Sequence, residues 1–571
     1  MSGRDEIRQS IAAVREIDDE DLIDDSADAA EPAAPSTLVD EAAVERCAAL
    51  DLSDTDNGRR LREHFGRDLV VVALDEDAGG VWLTWDGRRW DREEGLAGAM
   101  KTAQEVGPRI ELEAAYLKLT PEEKRMVDAA GAFAADDDGE AAREARAAAK
   151  AAKAAPTARR RKRWAFATMS KNSARINAML SMAAPHLRRA PDLFNADPLL
   201  VVTNSHSLRF VVEDDLECPD PNVTRKMARV EALAGFRRED FVTGLVPCDY
   251  DPRATCPKFL AFLARCMPDA ELRRTLKVYS ATGLLGRLEQ RLAYHYGLGA
   301  NGKSVFLAVL AGVIGPSLSV GMPKETIMGQ GERGAGQASP DLVRLFGRRT
   351  VRIDELKDDE KLREDFVKRL TGGDPMVVRG LYSGYLEFPN VATPHMSGNG
   401  HPKIDGTDEG IWRRIIVLHW SVTIPEAERR DFNEMVADLL TERSGILNWL
   451  IEGGLDYLEN GLTIAPSARR ATDEYRAEMD PVREFRERCL VEKPGGRVQA
   501  QRLFQIYLKW AKANNRSEFS VTRFGREVKR WVKRDDRGSA RFYIDVELTE
   551  GALALEGAAA PPPGEDWRGE E

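Results

Sequence analysis

Eight residues near the middle of the chain, GLGANGKS at 297–304, constrain the fold more than any other feature. They follow RLAYHY, a short run with the character of a buried β-strand, and precede VFLAVLAGVIG, whose apolar spacing suits a helix packed on a sheet. A loop of the form G-x-x-x-x-G-K-[ST] between a strand and a helix is a phosphate cradle. Gly297, Gly299 and Gly302 let the backbone turn so that successive N–H groups face one anion. The following helix N-terminus adds partial positive charge. Lys303 supplies a point charge to β- and γ-phosphates, and Ser304 offers a hydroxyl to Mg2+. The cofactors expected are therefore ATP and Mg2+, and the fold class is α/β with a P-loop NTPase core.

The second half of such a site should come from another strand of the same sheet. RRTVRIDEL is β-rich and ends in Asp354 and Glu355, 50 and 51 positions after Ser304. A strand that terminates in paired acids beside a phosphate loop lets Asp354 hold the metal's water shell while Glu355 polarises an attacking water.

The rest of the chain sorts by composition. Its 571 residues suggest three or four domains. Residues 1–55 are acidic and Ala-rich and read as a flexible tail. A small α/β module at 56–135 holds DLVVVAL and VWLTWDGRRW, where Trp82, Trp85 and Trp90 form a hairpin core or, beside Arg88 and Arg89, a base-stacking surface. Residues 136–163 read as an Ala-rich to basic linker, helical or flexible, whose last five residues (RRRKR) contact phosphates or solvate a tether. A mixed α/β region at 164–285 precedes the core at 286–425. Helices follow at 426–480, a compact basic module at 481–549, and a Pro/Gly/Glu-rich tail, expected to be disordered, at 550–571.

Several classes are excluded at this level. No run of about 18 apolar residues spans a membrane, and the N-terminal residues carry no apolar signal core, so a cytoplasmic protein is expected. The six cysteines contain no C-x-x-C pair, so Cys248, Cys256 and Cys266 read as small buried hydrophobes rather than metal ligands. The net charge of −12 speaks against nucleic acid only until its distribution is considered. Residues 483–541 hold 17 Lys/Arg against 7 Asp/Glu, a local excess of 10 positive charges. Within them RLFQIYLKWAKANN reads as an amphipathic helix. Ser520 caps VTRFGREVKRWVK, a second helix with Val521, Phe524, Val528 and Trp531 inward, and SARFYIDVEL closes as a strand. That order suggests a winged helix presenting Arg523, Arg526, Lys529, Arg530 and Lys533 to DNA.

Beyond the loop, the core continues LTGGDPMVVRGLYSGYLEF, then VATPHMSGNGHPKI, then GTDEGIWRRIIVLHW. Here the sequence resembles superfamily 3 helicases, and among them the phage/plasmid primase–helicase family with its poxvirus-type relatives. The motifs are NGKS at 301–304, the acids Asp354 and Glu355, LTGGD at 370–374, Asn399, and the segment from Asp408 to Arg414. The upstream FNADPLL, YDPRATCPKFLAFL and WDGRRW look like the α/β helicase-associated region of that family, and the similarity covers roughly 56–545. Two departures stand out: PHMSGN replaces a β-rich run before the Asn, and His401 stands where a Leu is common. The resemblance implies an AAA+-like core with Asn301 in the ATP-binding loop and Asn399 as a sensor of the γ-phosphate. It makes Arg413 or, preferably, Arg414 an arginine finger reaching a neighbouring subunit. A finger supplied in trans implies a ring, expected to be a hexamer. It further implies a DNA-contacting hairpin between LTGGD and Asn399, with Arg379 and Tyr382 as candidates. Single-stranded and forked DNA, a separate primase or polymerase and a bacterial host, through a phage, prophage or plasmid, complete the expectation. No polymerase-type acid cluster is visible, since DDD at 136–138 lies in low-complexity sequence. A DNA-packaging ATPase and a nucleotide-gated DNA-binding regulator remain the alternative readings.

Overall fold

The computed structural model describes residues 39–72, 80–215, 225–329, 339–356, 360–379, 385–404, 409–514, 516, 518–537 and 540–557. The chain is mixed α/β and centres on a five-stranded parallel sheet. Its strand order is Ile415–His419, Leu292–Tyr296, Thr393–Gly398, Thr350–Leu356, Ser319–Gly321. Every pairing within it is parallel. Both faces of such a sheet are covered, which explains why Leu292, Ala293, Tyr294 and His295 are all fully buried. The segment TPHMSG lacks strong β formers yet makes a central strand with all six residues buried. Pairing on both sides outweighs its weak propensity.

Helix Lys303–Ile314 covers one face, burying Phe306, Val309, Val313 and Ile314 completely. Helix Ala270–Leu285, assigned from sequence to the preceding domain, belongs to the layers of the core. The Tyr279 hydroxyl donates to the Pro394 carbonyl (2.7 Å), and Gly453 of helix Arg443–Asn460 packs against it near Lys277 and Ala281. The expected hairpin is present as an antiparallel ribbon, Met376–Arg379 with Tyr385–Phe388.

The N-terminal unit differs from its sequence reading in three ways. Folded structure begins before residue 56: Ala43, Val44, Cys47 and Ala48 of helix Glu41–Ala48 are buried. Residues 140–163 are no tether, for they lie in one helix, Glu140–Ser170, that runs through the expected boundary. Its Phe166 and Ala167 enter the same apolar cluster as Leu61, Leu69, Val71 and Trp82. The basic end is partly spent on folding: Glu113, fully buried, takes Arg60 (2.8 Å) on one side and Arg163 on the other. Low-complexity composition hides such pairings because they connect positions 50 or more apart. Trp82, Trp85 and Trp90 are core residues, with the Trp90 indole donating to the Arg238 carbonyl (2.9 Å).

The C-terminal unit runs helix Pro481–Cys489, strand Leu490–Gln499, helices Ala500–Ala513 and Val521–Val528, then strands Arg534–Asp535 and Phe542–Leu548. The helix expected to continue to 533 stops at Val528, and Val521 is exposed at its first turn. The tail boundary also shifts, since helix Glu550–Gly557 buries Ala552 in the core of this unit. Cys248, Cys256 and Cys266 sit in the main apolar cluster, and burial pushes their thiols up to about 11. Among the described residues no helix is long and apolar enough to cross a membrane.

Candidate functional site

The loop at 297–302 joins the buried strand Leu292–Tyr296 to helix Lys303–Ile314. Its backbone turns through left-handed conformations at Gly299 (φ 105°), Ala300 (φ 46°) and Gly302 (φ 87°). At Gly302 packing adds a second requirement, because a Cβ would lie 2.6 Å from Cys266 Sγ and 3.0 Å from the Phe262 ring. Gly297 likewise has no room for a Cβ beneath the Trp420 carbonyl, 2.7 Å away.

The Lys303 side chain folds back over the loop. Its ammonium donates to the Gly297 carbonyl (2.8 Å) and to Asn399 Oδ1 (2.6 Å). Residues 96 positions apart in sequence are thus in direct contact. Both acceptors are neutral, so among the described residues nothing neutralises a cation that is only 6% exposed. Burial accordingly lowers its pKa. An anion arriving here would reverse that shift, since it stabilises the charged form.

Ser304 is exposed on the first helical turn, and Asn399 is exposed directly after strand Thr393–Gly398. Asp354 accepts from Ser397 Oγ (3.0 Å) and pairs with Arg352 (2.7 Å). Glu355 lies in strand Thr350–Leu356, and its side chain falls outside the described residues, as do Tyr382 and Asp408. Arg413 is exposed, with its carbonyl accepting from the Arg291 guanidinium. Arg414 is only 9% exposed, and its Nε and Nη1 find no hydrogen-bond acceptor.

Sequence reasoning missed the hydrogen-bonded floor of the site. Asn301 Nδ2 donates to the Trp420 carbonyl (3.3 Å), and the Trp420 indole donates to His295 Nδ1 (3.1 Å). Because an indole is only a donor, His295 must carry its proton on Nε2, which then donates to His395 Nδ1 (3.1 Å). Complete burial keeps both imidazoles neutral: His395 is pushed down to about 3, and His295 lies well below its usual value. A His two residues before the loop in RLAYHY was the available signal, but its partner could not be known without the strand pairing.

The geometry suits a polyanion carrying a divalent cation. Among the described residues the lysine lacks a counter-ion, the hydroxyl of Ser304 is open, and a carboxylate stands on a neighbouring strand. A Cβ built on Gly299 meets nothing within 4 Å, so the outer side of the loop is open to a ligand.

The expected DNA contacts are scattered. Arg379 is exposed at the end of its ribbon strand, with its guanidinium 5.7 Å from the Tyr385 ring centre. In the C-terminal unit the Arg523 guanidinium lies 3.8 Å from the Phe519 ring centre and Arg530 pairs with Glu527 (2.8 Å). Arg526, Lys529 and Lys533 are exposed.

The fold and the site define an α/β chain with a glycine-rich loop at a strand–helix junction of a parallel sheet. The family described as "D5 N terminal like" matches residues 58–268, and "Poxvirus D5 protein-like" matches residues 477–545. The similarity to the poxvirus-type primase–helicase family is thereby shown on both sides of the loop. Among curated relatives, "Putative helicase 022R" of Frog virus 3 is 26% identical over 50% of this chain and 31% of its own length. "Putative helicase L207/L206" of Acanthamoeba polyphaga mimivirus is 26% identical over 52% and 34%. "Primase D5" of Fowlpox virus is 28% identical over 26% and 19%. The matched region thus spans about a third or less of these relatives. These three come from viruses of eukaryotes and lend no support to a phage or plasmid source. The apo structure of the NrS-1 C-terminal region aligns with 59% of this chain and 96% of its own length, at 12% identity and a TM-score of 0.36.

Proposed function

We propose that this chain is an ATP-hydrolysing DNA helicase subunit with a P-loop NTPase core of the superfamily 3 type. The observation that carries the reading is the Lys303–Asn399 contact at the mouth of the glycine loop. It supports a site where a phosphate-binding cation and a sensing amide are held ready for the same anion. Bound Mg-ATP would supply the phosphoryl group whose transfer to water releases the driving free energy.

Each side chain then has a role. Lys303 exchanges a neutral amide oxygen for a charged one, a roughly twofold stronger hydrogen bond. Ser304 and Asp354 are the candidates to hold the cation, and Asp354 must release Arg352 to do so. Asn399, freed from the ammonium, is positioned to orient a phosphate oxygen or the attacking water. Glu355 is proposed as the general base. A finger has to project from its own subunit, so exposed Arg413 replaces Arg414, which is buried in its own chain. Oligomerisation in a ring follows if Arg413 acts in trans.

DNA would contact Arg379 and Tyr382 on the ribbon. The C-terminal unit has the element order of a winged helix, and Arg523, Arg526, Lys529, Arg530 and Lys533 are its proposed contacts. Primer synthesis, if the relatives perform it, is proposed to reside outside these residues.

The test is ATP hydrolysis with and without single-stranded DNA, strand displacement on a forked duplex, and the Lys303→Ala variant. Stimulation and unwinding, both lost in the variant, support the reading. Nucleotide binding by an assembled oligomer without stimulated turnover would replace it with the regulator.

A further inference from the structure

Helix Glu140–Ser170 is 31 residues long and two-sided. Successive residues advance about 100° around a helix, so positions 3, 4, 7 and 11 apart share a face. Ala149, Ala152, Arg163, Phe166 and Ser170 lie on one side and are buried. Arg143, Lys150, Lys153, Arg161 and Trp164 fall on the other and are all exposed. The only acids on the helix, Glu140 and Glu144, sit near its start.

The cations of this helix divide by use. Arg146 donates to the Asp137 carbonyl (2.9 Å), Arg159 pairs with Glu123 (2.7 Å), Arg160 donates to the Ala114 carbonyl (3.1 Å), and Arg163 holds buried Glu113. These fix the helix against the N-terminal unit. Arg143, Lys150, Lys153, Arg161 and Lys162 make no side-chain hydrogen bond or ion pair among the described residues, so folding does not account for them. Trp164 is 49% exposed, an unusual position for the largest apolar side chain, and it stands one turn from Arg161.

We infer that this face is a binding track for single-stranded nucleic acid, with Arg143, Lys150, Lys153 and Arg161 contacting phosphates and Trp164 stacking on a base. At about 1.5 Å per residue the stretch from 143 to 164 is roughly 31 Å long, enough for several successive nucleotides. Cations tracking a backbone beside a stacking aromatic are the recurrent means of holding a single strand without reading its sequence. An acidic protein segment would satisfy the charges but has no specific use for an exposed indole at the end of the row. The track lies outside the ribbon and the C-terminal unit, and it requires no nucleotide.

The test is anisotropy of a labelled oligo-dT on the full chain, without nucleotide, across a salt series. Each lost phosphate contact should flatten the slope of log K against log salt by about 0.7, so Arg143→Gln/Lys150→Gln/Arg161→Gln together should remove about 2. Trp164→Ala should weaken binding by about fivefold to 150-fold, with Trp164→Phe restoring most of it. An Arg526→Gln/Lys529→Gln variant reports the C-terminal unit separately. Unchanged affinity and slope in the helix variants would overturn the inference. Loss of binding to a poly-glutamate peptide with DNA binding intact would also overturn it and make the face a protein dock. Because hydrolysis is not read, the result is independent of whether the chain unwinds DNA.

Discussion

Two glycines of the loop at 297–302, read as a phosphate cradle, should respond very differently to the same substitution. Gly299 and Gly302 both have positive φ, at 105° and 87°. Alanine at either position carries a backbone penalty of about 1–3 kcal/mol. Their surroundings differ. A Cβ at 299 meets open space, whereas at 302 it lies 2.6 Å from Cys266 Sγ and 3.0 Å from Phe262, both in the buried core. Overpacking of that kind costs about 1–3 kcal/mol more. Without ligand the loop can relax away from the strain, so the penalty falls on binding. Gly299→Ala should then weaken ATP binding by about fivefold to 150-fold, and Gly302→Ala by a further factor of similar size. Titration with a fluorescent ATP analogue measures both. Thiol labelling at Cys266 with the analogue bound gives a second readout, because closing the altered loop on a ligand should displace Phe262 and expose a sulfur that is now fully buried. If Gly302→Ala binds within threefold of the unaltered chain, or suffers less than Gly299→Ala, the cradle reasoning fails.

Other consequences can be checked separately. Glu113→Gln leaves two guanidiniums, Arg60 and Arg163, without their buried anion, and should destabilise the N-terminal unit by about 3–5 kcal/mol in denaturant unfolding. His295 and His395 have folded pKa values below the unfolded one near 6.5, so only the unfolded chain takes up their protons as pH falls below that value. These two should therefore contribute a loss of about 3 kcal/mol of stability per pH unit once pH is well below 6.5, beside smaller losses from His64 and His419, and His395→Phe should remove half of the pair's contribution. Arg413→Ala should reduce ATP hydrolysis by about a thousandfold while leaving ATP binding intact. Mixing it with Lys303→Ala subunits should restore some turnover at hybrid interfaces. Retained activity in Arg413→Ala alone would remove the finger role.

The sequence by itself determined what is local. Strand, glycine loop and helix are contiguous, so their chemistry follows from spacing, and the loop between 297 and 304 lies where the pattern puts it. The helix–helix–strand order of the C-terminal unit was legible for the same reason, through periodicity and a capping serine, whereas the ribbon ahead of Asn399 was expected from the resemblance alone. Asn399 came from a resemblance, because PHMSGN is a poor strand by propensity. Only the tertiary structure decided the contacts between distant positions: Lys303 with Asn399, the His295–His395 pair under the loop, and Glu113 between Arg60 and Arg163. Those depend on which strands lie side by side and which helix face turns inward. The same logic corrected the basic run at 159–163, which composition presents as uniform charge. Burial divided it into arginines that hold the fold and cations left facing solvent, a distinction set by the helix face against which the neighbouring elements pack.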